Sequence, residues 1–524
     1  MRLAELLESI EYDLLAADGS GIAEAAARRQ ALETEVLDIT NDSRKAVPGG
    51  LFFAIRGANS DGHRYAGQVT MAGAAVLVVE EGVNVVSETK AAGTGRGSAE
   101  RAVSGLPGPV QVLVPSTRRA MALISAAWYG YPARRMKMIG ITGTKGKTTT
   151  TYLVKSILER AGIDTGLIGT IEMTYHDVHR PAANTTPESI VLQRDFREMA
   201  DAGVQAVVME VSSQALMLDR TAGIQYDIGV FTNLSEDHIG PNEHRDFEDY
   251  LHCKSLLFGQ CDLGIVNGDD PYVGRILEGS TCRVERYGMK ASDNLYAVNP
   301  ELVDRPGELG IRFDAKGLVD IPGCEVPTPG RFSIYNAMAA IAICHHFAVG
   351  PEQIRTALLG ARTKGRIELV KVSDVFTLMI DYAHNAVALQ SLLTTLREYH
   401  PHRLIALFGC GGNRSRSRRF EMGEVSGNLA DLTIITSDNP RFEEPMDIIA
   451  DIVTGISKTD GQYITIPDRK EAIRWVIHHG EPGDIIVLAG KGHEDYQEIR
   501  GKKYPMDERV LIREILAEDG GARA

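Results

Sequence analysis

Cysteine is scarce in this sequence: six residues among 524 (Cys253, Cys261, Cys282, Cys324, Cys344 and Cys410), with no C-x-x-C pair. A chain of this length needs no covalent staples, so a disulfide-framed secreted fold is excluded and a reducing cytoplasm is expected. No apolar run approaches the ~18 residues that span a bilayer, and the opening Met1-Arg2-Leu3-Ala4-Glu5 lacks a charged-then-apolar leader pattern, so a soluble protein without membrane insertion is expected. A basic excess is missing as well. The net charge of −14 argues against a general nucleic-acid or membrane-surface binder and leaves room for a local basic pocket that takes a small anion. The length corresponds to about three or four domains.

What is present is a phosphate loop. Residues 140–150 read Gly-Ile-Thr-Gly-Thr-Lys-Gly-Lys-Thr-Thr-Thr, between an apolar strand pattern (Met136, Met138, Ile139, Ile141) and helical spacing from Thr149 to Ala161. Glycines at a strand-to-helix turn let backbone N–H groups and the helix N-terminus cradle an anion. Lys147 then reaches the terminal phosphates of a nucleoside triphosphate, and the Thr148 hydroxyl holds Mg²⁺. The loop is a variant: the usual glycine five residues before Gly146 is replaced by Ile141.

A first domain has short apolar strands at 51–55, 75–79 and 110–114, interrupted at 83–108 by a small, polar, glycine-rich stretch that reads as a flexible surface insertion. From Met136 onward apolar runs alternate with helical patterns, the signature of a parallel α/β sheet covered on both faces. The runs end in polar residues: Thr185-Thr186, Glu210-Val211-Ser212-Ser213, Thr232-Asn233 with Asp237-His238, and Asn267-Gly268-Asp269-Asp270. Ligands collect beyond the carboxyl ends of such strands. The alternation restarts after Gly365, with strand ends at Asp381, at 409–414, at Asp438-Asn439-Pro440-Arg441 and at Gly490-Lys491-Gly492-His493-Glu494, which gives a second ligand-binding sheet.

Lys254 falls on the apolar stripe of a helix over Asp246 to Phe258. Periodicity alone favours a snorkelling lysine with its head in water. The alternative is a desolvated amine that combines with CO₂ to form an anionic, metal-binding carbamate. Glu210 and His238 are further metal candidates. Arg414, Arg416, Arg418 and Arg419 read as a solvated cluster in which one or two arginines serve an anionic ligand.

Together the phosphate loop, Asn184-Thr185-Thr186-Pro187, Met209-Glu210-Val211-Ser212-Ser213, Thr232-Asn233-Leu234 with Asp237-His238, Gly490 to Glu494, and Asp42-Ser43-Arg44 near the start resemble the Mur ligases of peptidoglycan synthesis. The likeness is greatest to members that extend a UDP-N-acetylmuramoyl dipeptide with meso-diaminopimelate, and it covers nearly the whole chain outside 83–108. It implies an ATP-dependent, ADP-forming acid–amino-acid ligase that works as a monomer on small molecules, through an acyl phosphate. It also implies three domains: 1–134 for the uridine nucleotide, 135–362 as a central P-loop parallel-sheet ATPase, and 363–524 as a Rossmann-like domain that brings the amino acid.

By the same resemblance, Asn41, Ser43, Ala58, Asn59 and Ser60 line the uridine diphosphate site, and Asn184, Thr185, Thr186, Ser212 and Arg220 hold the rest of the muramoyl nucleotide. Gly143, Thr144, Lys145, Gly146, Lys147, Thr148 and Thr149 bind ATP, with Asn336 at the adenine and Asp381 at the ribose or phosphates. Lys147, Glu210, His238 and Lys254 are catalytic. Thr148, Glu210, His238 and the Lys254 carbamate hold Mg²⁺. Arg414, Asp438, Asn439, Pro440, Arg441, Gly490 and Glu494 form the diaminopimelate pocket. Leu218 departs from the pattern, standing where the family often has a glutamine. Arg441 matters most for the choice of amino acid, because lysine lacks the distal carboxylate and is expected to leave the guanidinium unpaired, at roughly 2 to 5 kcal/mol. A lysine-adding relative or a ligase for a different acyl nucleotide is the alternative within this class. A regulatory nucleotide switch is disfavoured because no Asn-Lys-x-Asp motif occurs.

Overall fold

A computed structural model of the chain describes residues 1–57, 60–86, 108–237, 239–240, 243–305 and 307–521. Residues 87–107 of the expected insertion, together with Ala58, Asn59 and His238, lie outside the described residues. The chain forms two units. One comprises Met1–Lys147, Ile163–Val266 and Asp270–Val284, and the other comprises Thr148–Gly162, Asn267–Asp269 and Glu285–Ala524.

In the first unit, strands β1 (Asp13–Leu15), β2 (Asp38–Thr40), β3 (Gly50–Phe53), β4 (Val76–Val79) and β5 (Val110–Leu113) form a sheet in the order β1-β5-β4-β3-β2. All neighbours are parallel except β1 with β5. Both faces are covered: Leu51, Val76, Val78 and Val112 pack with Ile124 of the helix Thr117–Trp128, while Phe52, Leu77 and Val79 pack on the other side with Val69. That burial is why the sequence runs are continuously apolar rather than alternating.

A second sheet in this unit is built from β6 (Lys137–Thr142), β7 (Thr165–Ile168), β8 (Glu172–Tyr175), β9 (Val178–Pro181), β10 (Ala206–Glu210), β11 (Tyr226–Phe231) and β12 (Cys261–Asn267), in the order β12-β11-β6-β10-β7-β8-β9. The first five strands in that order are parallel. β8 and β9 extend the sheet as an antiparallel meander that the apolar-run reading passes over, since β9 is exposed along most of its length. β6, β10 and β11 end side by side, which gathers Thr142, Glu210 and Phe231 with the residues that follow them.

The second unit holds an antiparallel meander of β14 (Leu295–Arg305), β15 (Glu308–Gly317) and β16 (Ile321–Val326), preceded by β13 (Arg283–Gly288), which pairs parallel with β14 at Tyr287 and Gly288. Its C-terminal sheet comprises β17 (Glu368–Val370), β18 (Thr377–Asp381), β19 (Leu404–Phe408), β20 (Leu432–Ile435), β21 (Gln462–Thr465) and β22 (Ile485–Ala489), in the order β17-β18-β22-β19-β20-β21. Only β17 is antiparallel. Met379, Ala406, Phe408 and Val487 face one core, and Leu378, Ile380, Ile405, Leu407, Ile486 and Leu488 face the other. A hairpin of β23 (Tyr496–Ile499) and β24 (Lys502–Pro505) follows. The architecture is mixed α/β, with parallel sheets whose polar ends carry the expected site residues.

Candidate active site

Backbone geometry fixes the phosphate loop. Gly143 has φ +147°, and a Cβ there would stand 1.9 Å from the Thr232 hydroxyl, so only glycine lets the chain pass the end of β11. Asn233 fastens the loop: its backbone carbonyl accepts from the Thr144 N–H at 2.8 Å, its side-chain oxygen accepts from the Lys145 N–H at 2.9 Å, and its amide donates to the Lys145 carbonyl at 2.9 Å. The 14-residue helix Lys147–Arg160 starts directly after the loop, which puts the positive end of its dipole there.

Two lysines converge on one loop carbonyl. Lys147 Nζ donates to Gly143 O at 2.8 Å and to Thr144 O at 3.0 Å, and Lys254 Nζ donates to the same Gly143 O at 2.9 Å. Lys254 lies on the helix Phe247–Ser255, is 1% exposed, and sits 4.4 Å from the centre of the Tyr250 ring. Its head is therefore not in water, contrary to the snorkelling expected from periodicity. Burial and then the Lys147 charge push its amine well below the ordinary lysine value, with Asp237 opposing. Tyr250, whose hydroxyl is 3.1 Å from Thr144 Oγ1, ties this helix to the loop.

Glu210 closes β10 as a buried carboxylate. Oε1 accepts from the Thr170 N–H at 2.8 Å and Oε2 from the Thr170 hydroxyl at 3.1 Å; that hydroxyl also lies 3.1 Å from Thr185 Oγ1. The Thr186 hydroxyl donates to the Glu210 carbonyl at 2.9 Å and accepts from the Ser212 N–H at 3.0 Å. Arg220 donates from Nη1 to the Thr186 carbonyl at 3.0 Å and pairs through Nη2 with Glu188 at 2.7 Å. The structure thus gathers Thr185, Thr186, Glu210, Ser212 and Arg220, with Asn184 exposed beside them. Next to Ser212, the Ser213 hydroxyl is 2.8 Å from His244 Nε2, whose Nδ1 is 3.2 Å from Asp249.

Asp42 accepts from the Arg44 N–H and side chain, so Asp42-Ser43-Arg44 is a self-bonded turn with Asn41 exposed and Ser43 half-buried. The Ser60 hydroxyl lies 3.2 Å from the Tyr65 hydroxyl. In the second unit Asn336 is buried on the helix Phe332–His345. Asp381 closes β18, and its carboxylate accepts from the backbone N–H groups of Ile367 at 2.9 Å and Ala383 at 2.8 Å; burial raises its pKa.

The segment 437–441 after β20 nests against the glycine loop after β19. A Cβ on Gly412 would lie 2.0 Å from the Pro440 carbonyl, and the Gly412 N–H donates to the Asn439 carbonyl at 2.9 Å. Lys491 is fully buried, and its ammonium is shared among Asn439 Oδ1 at 3.0 Å, Glu494 Oε2 at 2.8 Å and the Tyr496 carbonyl. Asn439 Nδ2 also donates to Glu494 at 2.9 Å. Arg414 is exposed on the same glycine loop, whereas Arg416 and Arg419 pair with Asp451 at 2.6 and 3.0 Å and so brace two helices. Gly412→Ala should cost about 1–3 kcal/mol by overpacking against backbone. Calorimetry would show this as a lower melting temperature, and an unchanged one would mean that the loop relaxes freely.

Three family profiles match the chain: the Mur ligase family catalytic domain over 35–129, the Mur ligase middle domain over 141–344, and the Mur ligase glutamate ligase domain over 365–492. A UDP-N-acetylmuramoyl-L-alanyl-D-glutamate–2,6-diaminopimelate ligase of Caldanaerobacter subterraneus subsp. tengcongensis is 39% identical over 519 residues, covering 99% of each chain. The chain belongs to the Mur ligase family. A ligase of the same name from Geobacillus thermodenitrificans is 37% identical, covering 92% of this Mur ligase and 95% of that protein. Among solved structures, one titled as a UDP-N-acetylmuramoyl-L-alanyl-D-glutamate–2,6-diaminopimelate ligase shares the fold with a TM-score of 0.67 at 24% identity, covering 99% of both chains. A Mycobacterium tuberculosis folylpolyglutamate synthase complexed with ADP shares it with a TM-score of 0.57 at 17% identity, over 71% of this chain and 91% of that one. No helix among the described residues of this Mur ligase is long and apolar enough to cross a membrane.

Residue patterns had not singled out Lys491, Glu498 or the pair Arg469–Glu508. Lys491 stands inside the quoted Gly-Lys-Gly-His-Glu but reads there as an ordinary turn lysine. Arg469 is 4% exposed, bonds Glu508 at 2.8 Å, and donates to the carbonyls of Ser437 at 3.2 Å and Ala489 at 3.0 Å, bracing the ends of β20 and β22 from behind. A buried ion pair 39 residues apart leaves no local signature.

Proposed function

We propose that this Mur ligase joins meso-diaminopimelate to the D-glutamyl carboxylate of UDP-N-acetylmuramoyl-L-alanyl-D-glutamate in peptidoglycan synthesis, splitting ATP to ADP and phosphate. The observation that carries this reading is end-to-end similarity to enzymes named as diaminopimelate ligases, at 36–39% identity. Residues 1–134 are assigned to the uridine nucleotide, 135–362 to ATP and 363–524 to the amino acid. The six free cysteines fit a cytoplasmic enzyme, which we take to act as a monomer.

A carboxylate is inert to amines until it gains a leaving group. Transfer of the γ-phosphoryl group to a carboxylate oxygen releases ADP. The neutral amine then attacks the acyl carbon, and the tetrahedral intermediate expels inorganic phosphate as the nitrogen loses its proton, leaving the amide. Lys147, with the Gly143 to Thr149 loop at the helix N-terminus, offsets the charge that builds on the transferring phosphoryl. Asn336 and Asp381 are assigned to the rest of ATP. Asn41, Ser43, Ala58, Asn59 and Ser60, with the cluster around Thr186 and Arg220, are assigned to the nucleotide substrate.

We assign Mg²⁺ to the Glu210 carboxylate, which Thr170 orients, and to the Thr148 hydroxyl, because hard oxygens suit that ion. With His238 and a Lys254 carbamate these residues would hold the ion, which when bound neutralises phosphate charge. Lys254 suits carbamylation because a lowered pKa favours the neutral, nucleophilic form of its amine. Its nitrogen adds to CO₂ with loss of one proton, and the remaining N–H can keep the bond to Gly143 O.

Arg441 supports diaminopimelate, on different energetics from those expected. It donates from Nε to Glu498 at 3.0 Å and from Nη1 to the Gly412 carbonyl at 2.8 Å, so lysine would not strand a bare charge. Discrimination rests instead on an added charge-assisted hydrogen bond to the distal carboxylate, about 1.5–3 kcal/mol or roughly 10- to 100-fold. Purified protein should release ADP and phosphate only with ATP, the acyl nucleotide and meso-diaminopimelate together. AMP and pyrophosphate as products, or a preference for L-lysine, would overturn the reading.

A further inference from the structure

The guanidinium of Arg441 is held on two of its three nitrogens before any substrate is considered. Glu498 takes Nε and the Gly412 carbonyl takes Nη1, while among the described residues Nη2 has no hydrogen-bond partner. The grip is reinforced through the backbone. The Arg441 N–H donates to the Glu498 carbonyl at 3.0 Å, and the Arg500 N–H donates to the Arg441 carbonyl at 2.6 Å, which docks Arg441 on the edge of β23. Arg441 itself has φ +53°, a left-handed conformation uncommon for a residue with a side chain, so this docking holds a strained backbone. The same hairpin secures the two residues before Pro440: Gln497 Nε2 donates to the Asp438 carbonyl at 2.7 Å, and the Glu498 N–H donates to Asn439 Oδ1 at 2.9 Å. On the far side a Cβ on Gly411 would stand 2.8 Å from Arg441 Nη1, so the guanidinium lies flush against that loop.

We infer that Glu498 is a specificity-determining residue that acts through Arg441. By fixing the Nε edge it prevents the guanidinium from swinging and leaves the Nη2 edge as the donor for a carboxylate at the far end of a diamino-dicarboxylic acid. This rests on the proposed diaminopimelate ligase reading. A planar fork held at two of its nitrogens keeps its remaining donors preorganised, so less rotamer freedom is lost when a carboxylate docks. Glu498 is also an anion beside that cation, and a purely electrostatic role would make it a competitor of the substrate carboxylate. The two roles predict opposite signs.

The test is steady-state kinetics of the full-length wild type, Glu498→Ala and Glu498→Gln, with meso-diaminopimelate and L-lysine as competing amines, and with KM measured separately for ATP and for the acyl nucleotide. Positioning predicts that Glu498→Ala raises KM for meso-diaminopimelate about tenfold or more and narrows its kcat/KM advantage over lysine by a similar factor, leaving KM for ATP and nucleotide within about twofold. Glu498→Gln, which keeps an oxygen for Nε without the charge, should restore most of the selectivity. A lower KM for meso-diaminopimelate in either variant would overturn the inference in favour of competition. Unchanged selectivity in Glu498→Ala, or an equal rise in KM for ATP, would overturn it too. A wild type that shows no preference for meso-diaminopimelate would instead sink the function on which it rests.

Discussion

Lys254→Ala is expected to lower turnover on the order of 100-fold or more while the protein remains folded. The side chain is buried against Tyr250 and the phosphate loop, and it shares the Gly143 carbonyl with Lys147. Burial penalises its charged form, and the nearby Lys147 charge adds to that, so Lys254 is driven toward the neutral amine. Only that form combines with CO₂. The reactive fraction falls as pH drops through the lowered value, so activity in bicarbonate-depleted buffer should decline on the acid side and recover when bicarbonate is returned. Truncation leaves a slot beside the loop, and a small carboxylate such as propionate should restore part of the turnover to Lys254→Ala if the missing group is an anion. Circular dichroism would verify folding. A Lys254→Ala enzyme with wild-type turnover would rule out the carbamate, as would full wild-type activity without CO₂.

Arg441→Ala is expected to raise KM for meso-diaminopimelate by roughly 10- to 100-fold and to bring its kcat/KM close to that for lysine. Removing the guanidinium deletes the donor for the distal carboxylate and also leaves Glu498 and the Gly412 carbonyl without their partner. Arg441→Lys should recover little, because an ammonium is a point charge that cannot hold Glu498, a carbonyl and a substrate carboxylate in one plane. If 438–441 were merely a proline turn after β20 that carries an arginine with no substrate contact, selectivity would not change. That outcome would remove Arg441 from the amino-acid site.

The phosphate loop was legible because its information is local: glycines, a lysine and a hydroxyl at fixed offsets between a strand pattern and a helix pattern. The strand ends were legible for the same reason, since strands buried on both faces write continuous apolar runs and their polar punctuation follows directly. The meander β14 to β16 was not, because its half-exposed strands mix polar and apolar residues across a register shift between Val298 and Glu301. Lys254 shows the boundary most clearly. Spacing placed it on the apolar stripe but could not say whether its head reached water, and periodicity favoured the wrong environment. Arg441 was recognised as a residue type in a motif, yet its pairing with Glu498, 57 residues later, leaves no local signature.

By itself the sequence determined the family, the parallel-sheet class and the glycine turn between β6 and the helix Lys147–Arg160, because each is carried by the order of neighbouring residues. The tertiary structure alone decided that Lys254 is desolvated, that Lys491 is paired with Glu494, that Arg469 and Glu508 brace two strand ends, and that Arg441 is already held at two of its nitrogens. Charge state and preorganisation depend on burial and on partners brought from distant positions, and those are properties of the packed chain rather than of any stretch within it.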